Sequence, residues 1–531
     1  MIQENLLLIL SLLFIVFVLV MIGQKLKISY HILLVLGGLL ISFIPGIPLF
    51  TIDPELIFLL FLPPLLYEAA WFTSWHDFWK WKRPILMLAF GLVIFTSVII
   101  AYISSSMIPG FTLALGFLLG GIISPPDAVA AKSVLKTLNI PKRALTILEG
   151  ESLINDASSL IVFRFSIAAV VSGMFVPAKA ATDFFLVTVM GILIGLAVAH
   201  VIYAVHRFLP TTASIDAALT IMTPYLMYVS AEHFHYSGIM AVVSGGLFLS
   251  FRSDEILNYR SRLQAYGVWA TLTFVLNGLI FILIGLQLPT IVNGLEGYSV
   301  WEAIKYGLII SLVTILIRFI WIYPAAFIPR LLSKNIRNTE NNPGWKGPVL
   351  IGWAGMRGVV SLASALSIPF VISNGAPFPH RNLILFITFI VILVTLVVQG
   401  LTLPLIIKWL KIGEIDDIVP EEEQEISLRL QLLDASLRLL NLKYKKESEE
   451  NRIVENIKKE LESNISISGQ RMNSLECDDK ELKVSYNIYK DLLSEQRRVL
   501  SQLRRNNAYD DVILRRQEAQ LDLDEAKINP V

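Results

Sequence analysis

The first 411 residues form a succession of apolar segments separated by short polar connections. Each segment is about the 20 residues that a helix needs to cross a bilayer. No other feature limits the fold as severely. In hydrocarbon every backbone N–H and C=O must be satisfied within the chain, and only helices and closed barrels achieve that. Two-residue alternation is absent, which argues against a barrel. The ruler predicts about 13 spans, near residues 5–22, 28–49, 55–72, 85–107, 112–137, 144–172, 182–206, 214–230, 236–251, 264–289, 300–329, 347–372 and 382–410. Charge follows the same division. Residues 1–411 hold 25 Lys+Arg and 17 Asp+Glu, whereas the last 120 residues hold 19 and 26. The expected organisation is an all-α, polytopic transmembrane domain over 1–411 and a helical cytoplasmic tail over 412–531. A string of soluble domains is excluded, because soluble chains carry about a quarter of their residues as charges. A net charge of +1 gives no support to a nucleic-acid partner, and the one cysteine, Cys477, excludes a disulfide framework or a Cys-based metal site. The run Leu6–Ile22 lacks a basic region before it and a small-residue cleavage site after it, and reads as a retained helix.

Lys and Arg concentrate on the cytoplasmic side of a membrane protein. With the N-terminus outside, 19 of them fall in inner connections, three (Lys179, Lys305, Arg381) in outer ones, and three (Arg164, Arg318, Arg357) inside spans. In the tail, Ile426, Leu430, Leu433, Leu437, Leu440 and Tyr444 repeat at alternating steps of four and three. Leu482, Tyr486, Tyr489, Leu493, Leu500 and Leu503 make a second such seam. Stripes of this kind pair helices with each other or with the membrane domain, or between subunits as a coiled coil. The acidic run Glu421–Glu423 reads as a solvated face.

A charge at mid-membrane costs about 2.5–3.5 kcal/mol on insertion scales, so an intramembrane charge marks function or a buried partner. The densest stretch is Leu148-Glu-Gly-Glu-Ser-Leu-Ile-Asn-Asp156. At about 100° per residue, Ser152 and Asp156 share one face with Glu149 a turn above, while Glu151 and Asn155 share the adjacent face. Oxygen ligands of this kind suit a hard cation and not a transition metal. In Ile122-Ile-Ser-Pro-Pro-Asp-Ala-Val129 two prolines break a span, and broken backbone at membrane depth is tolerated only against protein or a wet cavity. Asp127 then either caps the following half-helix or serves the site. Gly352-Trp-Ala-Gly-Met-Arg-Gly358 marks a second interruption, in the fifth of the last six spans, as the first lies in the fifth of the first six. Matching interruptions point to a transporter built from two inverted repeats. Arg357 requires a buried acid. Finally, Phe61-Leu-Pro-Pro-Leu-Leu-Tyr-Glu68 places Glu68 after a Pro-Pro kink, as a site residue or a snorkelling end residue.

The segments Leu62–Glu68, Ser124–Ala130, Gly150–Asp156 and Gly355–Gly358 resemble, in order and spacing, the sodium–proton exchanger (NhaP/NHE-type) family of cation/proton antiporters. The resemblance covers about 400 residues and leaves out the tail. It implies a 13-helix inverted-repeat fold, a homodimer, no cofactor, and elevator-like alternating access at the cell membrane. It also implies that Asp156 carries cation and proton beside Asn155, and that Ser152 and Glu68 are accessory ligands of the transported sodium. Asp127 would sit at crossed unwound helices, and Glu151 with Arg357 would form a buried structural ion pair. One departure stands out: Pro126 precedes Asp127 where family members often have Thr or Val, so a threonine ligand is missing there.

The chemistry needs a carboxylate that holds either a proton or a cation. A free Asp, with pKa about 3.9, is nearly always ionised at neutral pH, but burial disfavours the charged form, and a cation can supply the charge that burial withholds. One titrating aspartate beside a neutral Asn fits one-for-one, electroneutral exchange. A membrane-embedded hydrolase fits poorly: neither a Gly-x-Ser-x-Gly turn nor a His-Glu-x-x-His pattern is present. No repeated selectivity loop suggests a channel.

Overall fold

The computed structural model describes residues 2–26, 29–44, 54–127, 131–132, 135, 140–173, 177–295, 297–372, 375–411, 421–474, 480–506 and 511–528. Ala128–Ala130 of the Pro-Pro segment, Cys477, and the side chains of Leu482 and Tyr486 lie outside the described residues. The chain divides into two compact units, Met1–Asp416 and Asp417–Val531. Among the described residues the architecture is helical, with one isolated β-bridge between Val371 and Pro377.

In the first unit, each predicted span contains helix among its described residues. Among the described residues, seven stretches are long and apolar enough to cross a membrane: Leu7–Leu26, Lys82–Met107, Lys142–Ser172, Thr182–Phe208, Tyr259–Asn293, Val300–Leu332 and Arg381–Leu410. Shorter apolar helices include Tyr30–Ser42, Leu113–Ile123 and Gly238–Phe251. Peripheral faces are apolar outward as well as inward. Leu308, Leu312, Leu316 and Ile320 follow one another along one exposed helix face, a stripe that lipid, not water, accommodates.

Two apolar cores organise this unit. One gathers Ile85, Leu118, Ile147, Ile284, Leu350 and Phe386. The other gathers Leu62, Tyr67, Ala199, Met227, Val242 and Trp269. The Lys142–Ser172 helix contributes Ile154 to the first and Leu153 and Ala157 to the second. Its polar run therefore lies where the cores meet.

Both predicted interruptions are present. Leu113–Ile123 stops at Ser124. Lys346–Trp353 stops at Ala354, and a new helix, Val359–Leu366, starts after Gly358. The prolines explain the first break, since neither residue 125 nor 126 can donate backward along a helix. The Ser124 hydroxyl donates instead to the Gly121 carbonyl (3.2 Å). The Asp127 N–H leaves its own helix and donates to the Met356 carbonyl (2.7 Å), which ties the two breaks together. Gly358 is required at this crossing: a Cβ there would lie 1.8 Å from Asp127 Oδ2. By contrast, Pro63 and Pro64 stand inside the continuous helix Pro54–Phe72. The carbonyl four residues before Pro64 belongs to Leu60, and it accepts from the Tyr225 hydroxyl (3.1 Å).

Two short π segments, Met87–Leu92 and Thr395–Gln399, interrupt long helices. Such bulges release carbonyls from the helical ladder. Met87 accepts from Trp321 Nε1 (3.0 Å) and Ala89 from the Ser158 hydroxyl (2.5 Å).

The second unit is a set of paired helices. Glu421–Lys443 packs with Arg452–Ser474, and Lys480–Arg505 with Asp511–Ile528. Ile426, Leu430, Leu433, Leu437 and Leu440 form the less exposed face of their helix, so this seam is used within the tail. Arg497 joins the second pair through Asp522 (2.6 Å) and Glu525 (2.7 Å).

Candidate functional site

A cavity of about 1230 Å³ reaches the crossed breaks. Its wall includes Glu68, Asp127, Ser152 and Asp156, with Glu149 and Lys132 on the same lining. Gln24 and Lys408 also line it. Beyond the crossing, Phe61, Ile280, Leu362 and Leu366 are buried. The helical geometry of the 149–156 run is as the sequence predicts. Glu149, Ser152 and Asp156 face the cavity, while Glu151 and Asn155 turn into protein.

Asn155 is fully buried, and its Nδ2 donates to the Pro126 carbonyl (2.9 Å). That bond fastens the polar run to the first break, and it places Asp156 beside Asp127. Asp127 does serve as a cap, of a helix across the crossing; the start of the half-helix that follows it in sequence lies outside the described residues. Its Oδ2 accepts the Val359 N–H (3.4 Å), at the start of the half-helix across the crossing. The positive end of that helix favours a carboxylate.

The expected ion pair requires correction. Glu151 does not pair with Arg357. It pairs with Arg318 of the Val300–Leu332 helix, through Nη1–Oε1 at 2.6 Å and Nη2–Oε2 at 2.8 Å, with both side chains buried. Arg318 also donates to the Ile351 carbonyl from Nε (3.2 Å) and Nη2 (3.1 Å). It reaches Glu151 by passing over Gly355, where an added Cβ would stand 2.3 Å from Arg318 Nε. Arg357 donates to the carbonyls of Ile123 (3.0 Å), Ser124 (3.4 Å) and, through a short bond, Gly355. Each arginine therefore compensates the carbonyl end of one broken helix, Arg318 at Lys346–Trp353 and Arg357 at Leu113–Ile123. Unsatisfied carbonyls and the negative dipole end both call for a cation there. The glycine spacing was legible in the sequence. The choice between two buried arginines was not.

A family description, "Sodium/hydrogen exchanger, transmembrane", matches residues 10–409. The chain belongs to the sodium/hydrogen exchanger family. The exchanger is similar to an uncharacterized Na(+)/H(+) exchanger of Mycobacterium tuberculosis, with 31% identity over 512 residues, 95% of this chain and 93% of the relative. It is 37% identical over 378 residues to a sodium, potassium, lithium and rubidium/H(+) antiporter of Bacillus pumilus, covering 70% of this chain and 56% of the relative. The sodium proton antiporter MjNhaP1 from Methanocaldococcus jannaschii has the same fold, with TM-score 0.60 at 20% identity, over 77% of this chain and 99% of that one. The chain is thus a multi-pass membrane protein that exchanges sodium for protons.

In this exchanger the remaining charges have separate duties. Glu149 pairs with Lys132 (2.6 Å) at the cavity wall. Arg164 pairs with Glu232 (2.6 Å), away from the crossing, and Glu232 also accepts the Gly238 N–H (3.2 Å). Sequence reasoning missed Arg318 as the partner of Glu151 and Thr395, whose hydroxyl accepts the Arg357 N–H (3.1 Å). It also missed Asn277, Thr273 and Ser361 in the cavity lining. An isolated neutral residue in an apolar helix carries no signal of its own.

Proposed function

We propose that the exchanger carries one sodium or lithium ion against one proton at Asp156, electroneutrally and without a cofactor. The supporting observation is the bond from Asn155 to Pro126, which sets Asp156 at the cavity wall beside Asp127 and the crossed breaks. Asp156 holds the proton when the site is empty of cation. A sodium ion restores the charge and displaces the proton. Ser152, Glu68 and Asp127 supply further oxygens, and hard cations take such ligands. Asn155 stays neutral, which keeps the exchange at one charge for one. Glu151, held by Arg318, stays structural throughout.

Orientation follows from Lys and Arg: N-terminus outside and tail in the cytoplasm. On that reading the cavity, with Gln24 and Lys408 in its lining, opens inward, and the apolar residues beyond the crossing seal the outer path. Alternating access moves the crossed helices and the polar run against the rest of a homodimer in the cell membrane, serving pH and sodium homeostasis. Residues 412–531 form a regulatory tail. The Bacillus relative is named for potassium and rubidium as well. The compact carboxylate-lined site here favours sodium and lithium, with a weaker potassium response.

The test is dequenching of a pH dye in proteoliposomes, titrated with sodium, lithium and potassium, with and without an imposed voltage. Asp156→Asn is expected to abolish exchange and still fold, since a neutral amide is cheaper to bury than a charge. Exchange in well-folded Asp156→Asn vesicles refutes the carrier role. Voltage-dependent exchange refutes the one-for-one ratio, and an equal potassium response refutes the selectivity.

A further inference from the structure

Several buried side-chain oxygens lack a hydrogen-bond partner among the described residues, and Ser361 Oγ is the one that belongs to a cavity-lining residue. Ser361 is almost fully buried, with 1% of its surface exposed. A buried polar atom without a partner loses free energy and in a native protein points to an unseen water or ion.

Local geometry explains why the hydroxyl is left over. Many helical serines and threonines in this unit bond back to the carbonyl three or four residues earlier. Ser97 does so to Val93 (2.8 Å), Thr314 to Ile310 (2.7 Å) and Thr388 to Ile384 (2.8 Å). Ser361 sits in the first turn of Val359–Leu366, and the residue four before it is Arg357, in the non-helical break. The carbonyl three residues before it, that of Gly358, lies in the same non-helical break. The same first turn gives its Val359 N–H to Asp127 Oδ2 (3.4 Å), so Ser361 lies within a turn of the Asp127 carboxylate. Asp127, Ser152, Asp156 and Ser361 line one cavity, from three separate segments.

We propose that Ser361 is a ligand of the transported cation, a neutral oxygen that the second broken helix offers to the Asp156 site and that tunes selectivity among alkali ions. The break that exposes the backbone thus also frees the hydroxyl. This proposal rests on the reading of Asp156 as the carrier. A neutral dipole ligand adds cation affinity without adding a titrating group, so it shifts the balance between sodium and proton in favour of sodium. It also fixes the size of the coordination shell, to which sodium, lithium and potassium respond differently.

The experiment compares Ser361→Ala and Ser361→Thr with the unmodified exchanger in proteoliposomes, titrating each of the three cations. Ser361→Ala is expected to raise the half-saturating sodium concentration about tenfold, the effect of about 1.4 kcal/mol of lost binding. The maximal rate should change less than about twofold, and the sodium-to-potassium preference should shift. Ser361→Thr, which keeps the hydroxyl, should restore sodium affinity. A second readout needs no transport: sodium added to the detergent-purified protein should raise its melting temperature less in Ser361→Ala than in the unmodified protein, because ligand binding to the folded state stabilises it. Unchanged half-saturation in Ser361→Ala overturns the proposal. So does an equal change for all three cations that Ser361→Thr does not rescue, which marks a packing role. Exchange that survives Asp156→Asn sinks the carrier reading itself, an outcome separate from either Ser361 result.

Discussion

Replacing Arg318 should damage the exchanger's stability more specifically than replacing Arg357, although both arginines are buried beside the breaks. The Glu151 carboxylate receives two bonds from Arg318, at 2.6 and 2.8 Å, and its side chain is about 1% exposed. Water therefore cannot take over when the guanidinium goes. Arg318→Gln should cost about 3–5 kcal/mol, the range for a buried pair that loses one partner. Glu151→Gln should cost a similar amount by stranding Arg318. The double variant removes both charges, so it should recover much of the loss. The expected coupling energy is at least about 2 kcal/mol, within the range for residues in direct contact. Arg357→Gln acts differently: it strands carbonyls of Ile123 and Ser124, at about 1–3 kcal/mol for each unsatisfied group, and leaves the Glu151–Arg318 pair intact. Its coupling to Glu151→Gln should be clearly smaller. The assay is equilibrium unfolding in SDS of the detergent-purified variants, followed by helical circular dichroism. If Glu151 couples to Arg357 as strongly as to Arg318, the assigned pairing is wrong.

Two further outcomes follow from the same geometry. Gly358→Ala should abolish exchange and lower thermal stability, because its Cβ would overlap Asp127 Oδ2 at 1.8 Å, whereas Gly297→Ala, where nothing lies within 4 Å but φ is +79°, should leave transport intact; normal exchange by Gly358→Ala counts against the crossing. Truncation at Glu421 should preserve sodium-driven proton exchange and alter its regulation, because Asp156, Asp127, Ser152 and Glu68 all lie in the first unit; a truncated protein that inserts normally and transports nothing would contradict that.

Much of this molecule is written in local periodicity. The helices fall where the apolar runs lie, because a bilayer leaves an apolar segment no better way to satisfy its backbone. The facing of the 149–156 run was also legible. A rotation of 100° per residue puts Ser152 and Asp156 together and turns Glu151 and Asn155 away, whatever surrounds the helix. The same argument picked out Ile426, Leu430, Leu433, Leu437 and Leu440 as the inward face of the first tail helix, although it also included Tyr444, which is exposed because the helix has ended at Lys443. The first break was legible because proline has no N–H to give, and the second because three glycines gather around an arginine inside an apolar span.

Contacts across the fold were not available in that way. Glu151 and Arg318 are 167 positions apart, and Asp127 and Val359 are 232 apart. Periodicity constrains a helix and says nothing of which neighbour it meets. The sequence by itself determined that a buried acid needed a buried arginine, since neither could stay charged in hydrocarbon alone. Only the tertiary structure decided which arginine. Packing brings the Val300–Leu332 helix over Gly355, and so gives Glu151 to Arg318 and leaves Arg357 to the carbonyls of a broken helix. Likewise, a serine in an apolar helix carries no mark of function until the fold leaves its hydroxyl without a partner at a cavity wall.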